Sequence, residues 1–333
     1  MSRLSEFLSP ESLWGRLDDP SENAGYEDHP ARKGFFTDTS VCIGCKACEV
    51  ACKEWNQVPD DGYLLTGMSY DNTQQLGAST WRHVAFIEQP LGPASSGAGP
   101  TAAPTDLGMP GSRPPGWERE VTLPDGADGA DGADGADQGA ASGDSGVRWL
   151  MSSDVCKHCT HAACLDVCPT GSLFRTEFGT VVVQEDICNG CGYCVPACPY
   201  GVIDQRKDDG RAFKCTLCYD RLKEGQTPAC AQACPTESIQ FGDLDELRER
   251  ATARVEQLHE QGVDVARLYG ADPDDGVGGD GAFFLLLDEP EVYGLPPDPV
   301  VTTRDLGSMW RHVGAGALAL AGLGAASFLG RRR

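Results

Sequence analysis

The chain lacks a surplus of base: 27 Lys and Arg stand against 50 Asp and Glu over 333 residues, a formal net charge of −23. Nucleic acids and anionic lipid surfaces are gripped through basic patches, so neither is expected as a partner, and the acidity mainly signals solubility. Residues 1–33 lack any apolar run, so no signal peptide is expected at the start. From Pro90 to Gly146 a hydrophobic period is missing altogether; this stretch is rich in Gly, Pro, Ala and Ser and contains the tract DGADGADGADGAD at Asp125–Asp137. Such a composition cannot bury enough apolar surface to fold, so a disordered insertion is expected. The tract also lacks the bulky apolar residue that calcium-binding Gly/Asp nonapeptides carry in every repeat, which argues against a calcium site.

What is present in quantity is cysteine. Sixteen fall into four groups with none left over. Cys42, Cys45, Cys48 and Cys52 stand at x2-x2-x3 spacing, and Cys188, Cys191, Cys194 and Cys198 repeat it with Pro199 following. Cys156, Cys159, Cys164 and Cys168 widen the middle gap to four residues, and Cys215, Cys218, Cys230 and Cys234 widen it to eleven. In a bacterial ferredoxin run three closely spaced thiolates hold one cubane, and the fourth ligates a neighbouring cluster. Sixteen thiolates therefore fit four 4Fe-4S clusters, and no group lacks a thiol, as a 3Fe form would allow. Zinc needs two Cys-x-x-Cys knuckles able to close a tetrahedron, and the extra thiols of each group serve no such site. A disulfide framework belongs to an oxidising compartment, which the opening residues do not indicate.

Clusters replace much of the apolar core that a chain of this length, enough for roughly two or three domains, would otherwise need. Each oxidised cubane with its thiolates adds about −2 of charge. Lys46, Lys53, Lys157, Arg206, Lys207, Lys214 and Arg221 lie near the cysteine groups and are candidates to offset it, the alternative for each being a solvated surface base. Trp81–Glu88 alternates as a strand; Leu173–Arg175 and Thr180–Gln184 flank a turn at Phe178–Gly179 as a hairpin; a second hairpin-like stretch ends at Arg211–Lys214. Asp243–Gln261 predicts a helix with Asp243 as N-cap and Leu244, Leu247, Ala251, Val255 and Leu258 on one face. Phe283–Leu287 is too short to span a bilayer and reads as a buried strand. Val313–Gly330 carries no charge, and a helix from Trp310 to Gly330 would be about 31 Å long, enough for one bilayer crossing. Its five glycines and six alanines favour insertion beside another membrane helix, through small residues such as Ala317, Ala321 and Ala325. A buried soluble helix is the alternative.

Four segments carry a family resemblance: TDTSVCIGCKACEVACKEWN (Thr37–Asn56), CKHCTHAACLDVCPTGSLF (Cys156–Phe174), CNGCGYCVPACPYG (Cys188–Gly201), and KCTLCYDRL with ACAQACPT (Lys214–Thr236). They resemble the iron-sulfur β subunits of respiratory, membrane-bound formate dehydrogenases, within the wider family of four-cluster subunits that accompany molybdopterin oxidoreductases in anaerobic respiration. The resemblance covers most of residues 34–242, and the Asp/Gly insertion departs from it. The implied fold class is α+β, with two pseudo-symmetric bacterial-ferredoxin-like modules of two 4Fe-4S clusters each, a disordered insertion and a single C-terminal transmembrane helix. The implied domains are an N-terminal extension (1–33), part of the first module (34–89), the insertion (90–147), the second module (148–210), a return to the first (211–242), a helix and strand region (243–308), the transmembrane helix (309–330) and a basic tail (331–333).

The resemblance also implies which thiolates share a cluster, where spacing alone leaves adjacent groups free to pair. The implied sets are Cys42, Cys45, Cys48 and Cys234; Cys52, Cys215, Cys218 and Cys230; Cys156, Cys159, Cys164 and Cys198; and Cys168, Cys188, Cys191 and Cys194. Such a subunit has no catalytic residue of its own. It takes electrons from a molybdopterin (Mo or W) catalytic α subunit that oxidises formate and passes them to a membrane cytochrome b γ subunit that reduces quinone. His83, His158 and His161 are tempting extra ligands but are not expected to bind, because four thiolates already serve each cluster. Alternatives are the equivalent subunit of a nitrate, polysulfide or similar reductase or of a hydrogenase and, outside electron transfer, an iron-sulfur redox sensor. Arg331–Arg333 favour a cytoplasmic C-terminus, which puts the cluster region on the outer face. The family implies export as a folded passenger bound to a catalytic partner with a twin-arginine signal.

Overall fold

The computed structural model describes residues 24–60, 71, 73–90, 147–304 and 306–330. The disordered-insertion reading at 90–147 falls, but for its two edge residues, outside the described residues, as do most of the N-terminal extension and the basic tail. In chain order the elements are β1 (Lys33–Asp38), α1 (Ala47–Asn56), β2 (Arg82–Pro90), β3 (Val147–Val155), α2 (Ala163–Asp166), β4 (Leu173–Arg175), β5 (Val181–Val183), α3 (Cys194–Ala197), β6 (Asp204–Gln205) and β7 (Ala212–Phe213). There follow α4 (Tyr219–Lys223), α5 (Ala229–Gln232), β8 (Ile239–Asp243), α6 (Leu244–Glu260), β9 (Arg267–Tyr269), β10 (Ala282–Leu286) and α7 (Leu306–Gly330).

A four-stranded sheet in the order β8-β1-β10-β9 is the structural floor. β1 sits inside it, antiparallel to β8 and parallel to β10, with Phe35 opposite Phe241 and Phe36 opposite Phe283. Side chains alternate between faces along a strand, so adjacent phenylalanines serve two different cores. Phe36, Phe283 and Leu285 pack with Leu244, Leu247, Ala251 and Leu258 of α6 in a wholly apolar core, the Phe36 and Phe283 rings stacking at 5.4 Å. Phe35, Phe284 and Leu286 turn to the opposite face, into a core that includes Cys48, Cys52, Cys156, Cys215 and Cys230. Each such phenylalanine or leucine contributes about 1.5–3 kcal/mol by burial. The α6 side of the sheet thus anchors the cysteine side chiefly with apolar packing, to which the ion pair of Arg254 on α6 with Asp38 of β1 is added.

The expected helix at 243–261 forms as Leu244–Glu260, and four of its five stripe residues are buried. Asp243 stands at its N-cap without capping by its side chain; the carboxylate pairs with Lys33 across the β1–β8 ladder instead. Both expected hairpins are present, as β4–β5 and β6–β7, and Phe283–Leu286 is fully buried in β10. A hairpin not foreseen joins β2 to β3 in nine-residue register, from Arg82 opposite Val155 to Pro90 opposite Val147.

The C-terminal stretch is helical, as expected, over 25 residues. Among the described residues, however, no helix is long and apolar enough to cross a membrane. Arg311 and His312 lie within the N-terminal part of the helix, and glycine and alanine are interspersed with its leucines. Leu318, Leu320, Leu323 and Phe328 are each 69–77% exposed.

Candidate iron-sulfur cluster sites

Each cysteine group begins with the same backbone turn. The residue just before the second cysteine adopts a left-handed conformation in all four: Gly44 (φ 65°), His158 (φ 47°), Gly190 (φ 70°) and Leu217 (φ 57°). This bend reverses the short Cys-x-x-Cys segment so that its two thiols face a common space. Glycine reaches the conformation freely, whereas His158 and Leu217 hold it at a cost. At Gly44 a Cβ would stand 2.6 Å from Met151 Sδ and 2.7 Å from a Phe86 ring carbon, so β2 and β3 press directly on the turn.

All sixteen cysteines are free thiols, and the turns gather them around enclosed spaces. One cavity of about 370 Å³ is lined by Cys156, Cys159, Cys164 and Cys198. A second, of about 300 Å³, is lined by Cys168, Cys188, Cys191 and Cys194. A third, of about 290 Å³, is lined by Cys42, Cys45, Cys48 and Cys234. Four thiols around each space are what copies of one group would demand. The remaining four draw together as well: Cys52 is held well above an ordinary thiol pKa first by burial, then by Cys215, Cys230 and Cys218. In these linings cysteines of the first group meet the fourth and those of the second meet the third. Among the described residues no three His, Cys, Asp or Glu side chains converge closely enough to hold a single ion. A cubane spreads its thiolates over four irons and so requires them further apart.

Electrostatics favour the same occupant. Burial pushes the thiols of Cys164 and Cys215 up to about 12, and those of Cys48 and Cys194 up to about 11, with neighbouring cysteines adding to the shift. Thiols whose ionisation burial opposes in this way have no reason to be crowded together bare. Iron inverts the balance, since a coordinating thiol is deprotonated outright and soft thiolate sets select iron-sulfur clusters. Cys168 differs: burial acts against its thiolate, but the backbone N–H of Leu173, the Thr170 side chain and the backbone N–H groups of Thr170 and Ser172 bring it below its ordinary value.

The sets adjoin one another in a chain. Cys230 raises Cys48, Cys156 raises Cys215 and Cys194 raises Cys164, each across a boundary between sets. The order is therefore Cys42/45/48/234, then Cys52/215/218/230, then Cys156/159/164/198, then Cys168/188/191/194. Cys45 in the first set and Cys191 in the last are the two exposed cysteines, so both ends of the series reach the surface.

The candidate basic residues divide. Lys157 and Lys214 are completely buried. Lys157 pairs with Asp154 and lies 4.9 Å from the Phe284 ring centroid. Lys214 donates to the carbonyls of Val181 and Cys215; burial works against its charge, yet Cys156, Cys164 and Cys215 raise its pKa overall. Arg221 is 8% exposed and stacks on Trp55 at 4.2 Å. Arg206 is half-buried against Phe213 at 3.4 Å. Lys46 is engaged by Glu49 and Asp71, Lys53 donates to the Pro59 carbonyl, and Lys207 is exposed. Sequence reasoning missed Arg82, which is 2% exposed on β2; its signal was its place on the strand face shared by buried Val84.

The histidines are otherwise engaged. His83 meets Thr73 Oγ1 at 3.1 Å and the Asp71 carboxylate at 3.3 Å. His161 packs against Gly278. His158 Nδ1 accepts the Val181 N–H at 3.1 Å, which leaves the ring proton on Nε2. His158 lines the Cys156/159/164/198 cavity and is kept neutral, its pKa well below the usual by burial and by Lys214. Its buried Nε2 is without a protein acceptor, so it offers a hydrogen-bond donor and no lone pair for iron.

Four sets of four soft thiols on ferredoxin-type turns define an iron-sulfur protein of mixed helix and strand. Two matches to the 4Fe-4S dicluster domain family agree, over residues 41–172 and 147–244. More particularly, the protein belongs to the family of formate dehydrogenase iron-sulfur subunits. It is 34% identical over 306 residues to the nitrate-inducible formate dehydrogenase iron-sulfur subunit of Escherichia coli, covering 91% of this protein and 82% of that one. With the formate dehydrogenase iron-sulfur subunit of Haemophilus influenzae it shares 34% over 303 residues, 89% of this protein and 78% of the other. A more distant relative is a component of the anaerobic dimethyl sulfoxide reductase of Escherichia coli, 31% identical over 217 residues, 65% of this protein and 76% of that one.

Proposed function

We propose that this protein is the electron-transfer subunit of a membrane-bound formate dehydrogenase, relaying electrons from a formate-oxidising molybdopterin partner to a cytochrome b partner that reduces quinone. The observation that carries the reading is the gathering of sixteen free thiols into neighbouring sets of four, with one exposed cysteine in the Cys42/45/48/234 set and one in the Cys168/188/191/194 set. We assign the sixteen cysteines, set by set, as ligands of four 4Fe-4S clusters. A bound 4Fe-4S cluster accepts and donates single electrons at a potential that its surroundings set. The protein supplies those surroundings: thiols at fixed spacing, the N–H groups around Cys168, the buried charges of Lys157 and Lys214, and apolar walls that exclude water.

The C-terminal helix fits a membrane role in company rather than alone. A Gly/Ala-rich helix inserts poorly by itself but packs closely against another through small residues, and an apolar face so exposed in the isolated subunit marks an interaction surface. We place it against a helix of the cytochrome b partner, with the cluster region outside and Arg331–Arg333 in the cytoplasm.

The test is purification of the complex from membranes followed by iron analysis and assay with formate and a quinone analogue. Sixteen iron per copy of this subunit, beyond that in the partners, and formate-dependent quinone reduction are expected. Activity with dimethyl sulfoxide and none with formate would favour the reductase reading that the dimethyl sulfoxide reductase relative suggests.

A further inference from the structure

Arg82 carries a guanidinium into the interior, 2% exposed, where an unpaired charge is strongly disfavoured. Its Nη1 donates to the Ser153 carbonyl at 3.2 Å and to Ser153 Oγ at 3.1 Å. The Phe35 ring lies 4.9 Å from the guanidinium carbon. Nε and Nη2 are buried and meet no acceptor, and among the described residues no carboxylate forms an ion pair with this side chain. Two donor nitrogens bearing three N–H protons, and a full positive charge, thus lack partners among the described residues, which few native side chains tolerate. The neighbours able to carry the opposite sign are cysteine sulfurs, which iron would hold as thiolates. Ser153 Oγ lies 3.2 Å from Cys48 Sγ. Burial works against the Arg82 charge, but Cys230, Cys48, Cys215 and Cys52 outweigh it and hold the pKa above the ordinary arginine value. One of these thiols belongs to the first cysteine set and three to the second, and Ser153 Oγ bridges Arg82 Nη1 to the first-set sulfur of Cys48.

We propose that Arg82 is a positioning residue of the electron path, donating its free Nε and Nη2 protons to sulfur at the junction of the Cys42/45/48/234 and Cys52/215/218/230 sites and raising the reduction potential of both clusters. The inference rests on the functional reading above. A cation held at fixed distance from two clusters favours the reduced, more negative form of each, and hydrogen bonds to sulfur act in the same direction. Charge and donors have separable consequences, because lysine keeps the charge but not the planar fork of donors.

The test is potentiometric titration of the intact complex followed by electron paramagnetic resonance, comparing the native protein with Arg82→Gln and Arg82→Lys. In Arg82→Gln, two of the four clusters should become harder to reduce by at least tenfold in their one-electron equilibrium, about 59 mV, while the other two keep their potentials. Arg82→Lys should recover the greater part of that shift. Four unchanged potentials in a fully loaded Arg82→Gln protein would overturn the inference, as would a shift spread evenly over all four. If the glutamine variant fails to load, the native complex labelled with 15N in arginine side chains alone decides: electron spin echo modulation from a guanidinium nitrogen is expected on the reduced clusters, and its absence overturns the proposal. Native protein with fewer than four clusters would instead overturn the functional reading, leaving the role of Arg82 to fall with it.

Discussion

At the scale of single residues, the turn before each second cysteine constrains the backbone to a left-handed conformation. Gly44 combines a left-handed backbone with Met151 and Phe86 lying where a Cβ would stand, so Gly44→Ala meets both strain and overlap. Left-handed strain costs a non-glycine residue about 1–2 kcal/mol, and overpacking adds about 1–3 kcal/mol. Gly201 has a similar φ of 64° but nothing within 4 Å of a Cβ, so Gly201→Ala should bear the strain alone. Thermal unfolding of the loaded protein should therefore show a larger loss for Gly44→Ala than for Gly201→Ala. Equal losses would mean that the pressure of β2 and β3 on the turn has no energetic weight. At this scale the sequence was legible where spacing and glycine speak together, as in CIGC and CNGC. It was not legible at His158 and Leu217, which take the same backbone state without the residue that advertises it. Nor did it point to Arg82, because an arginine in an alternating strand is ordinarily assigned to solvent, and only the apolar neighbours on its face mark the exception.

Among elements, local pairing was readable and distant pairing was not. The β4–β5 hairpin and α6 follow from period and turn residues within one short window. The parallel pairing of β1 with β10 joins strands far apart in sequence, and no local signal encodes a partner at that separation. The β2–β3 hairpin was hidden by the insertion between its strands. That hairpin also makes a prediction about the insertion. Because Pro90 and Val147 are opposed in the ladder, the ends of the intervening segment are brought together by the strands themselves. Deleting residues 124–143 changes the closed loop by less than a factor of two in length, which alters closure entropy by under about 0.6 kcal/mol. Iron content and unfolding temperature of the deletion variant should match the parent. A missing cluster would show that the tract contributes to a site.

At the scale of the whole molecule, two kinds of core divide the labour. The α6 side is held chiefly by apolar burial; the cysteine side is crowded with thiols whose ionisation burial opposes, and on the proposed reading stability there depends on iron. The sequence reported the second through cysteine count and understated the first. The asymmetry bears on topology. A cluster region that needs iron to fold must be assembled where iron and sulfide are delivered, and if it works on the outer face it must cross the membrane already folded. The proposed orientation then places Lys207 and Lys223, both exposed, outside the cytoplasmic membrane and Arg331–Arg333 within. An impermeant amine reagent added to intact spheroplasts should label Lys207 and Lys223, and a green fluorescent protein fused after Arg333 should fluoresce in the same cells. Labelling of those lysines only after lysis would place the clusters in the cytoplasm and defeat the export model. Outer labelling with a dark fusion would keep the clusters outside but deny that Leu306–Gly330 crosses the bilayer, leaving it to lie along a partner at the membrane surface.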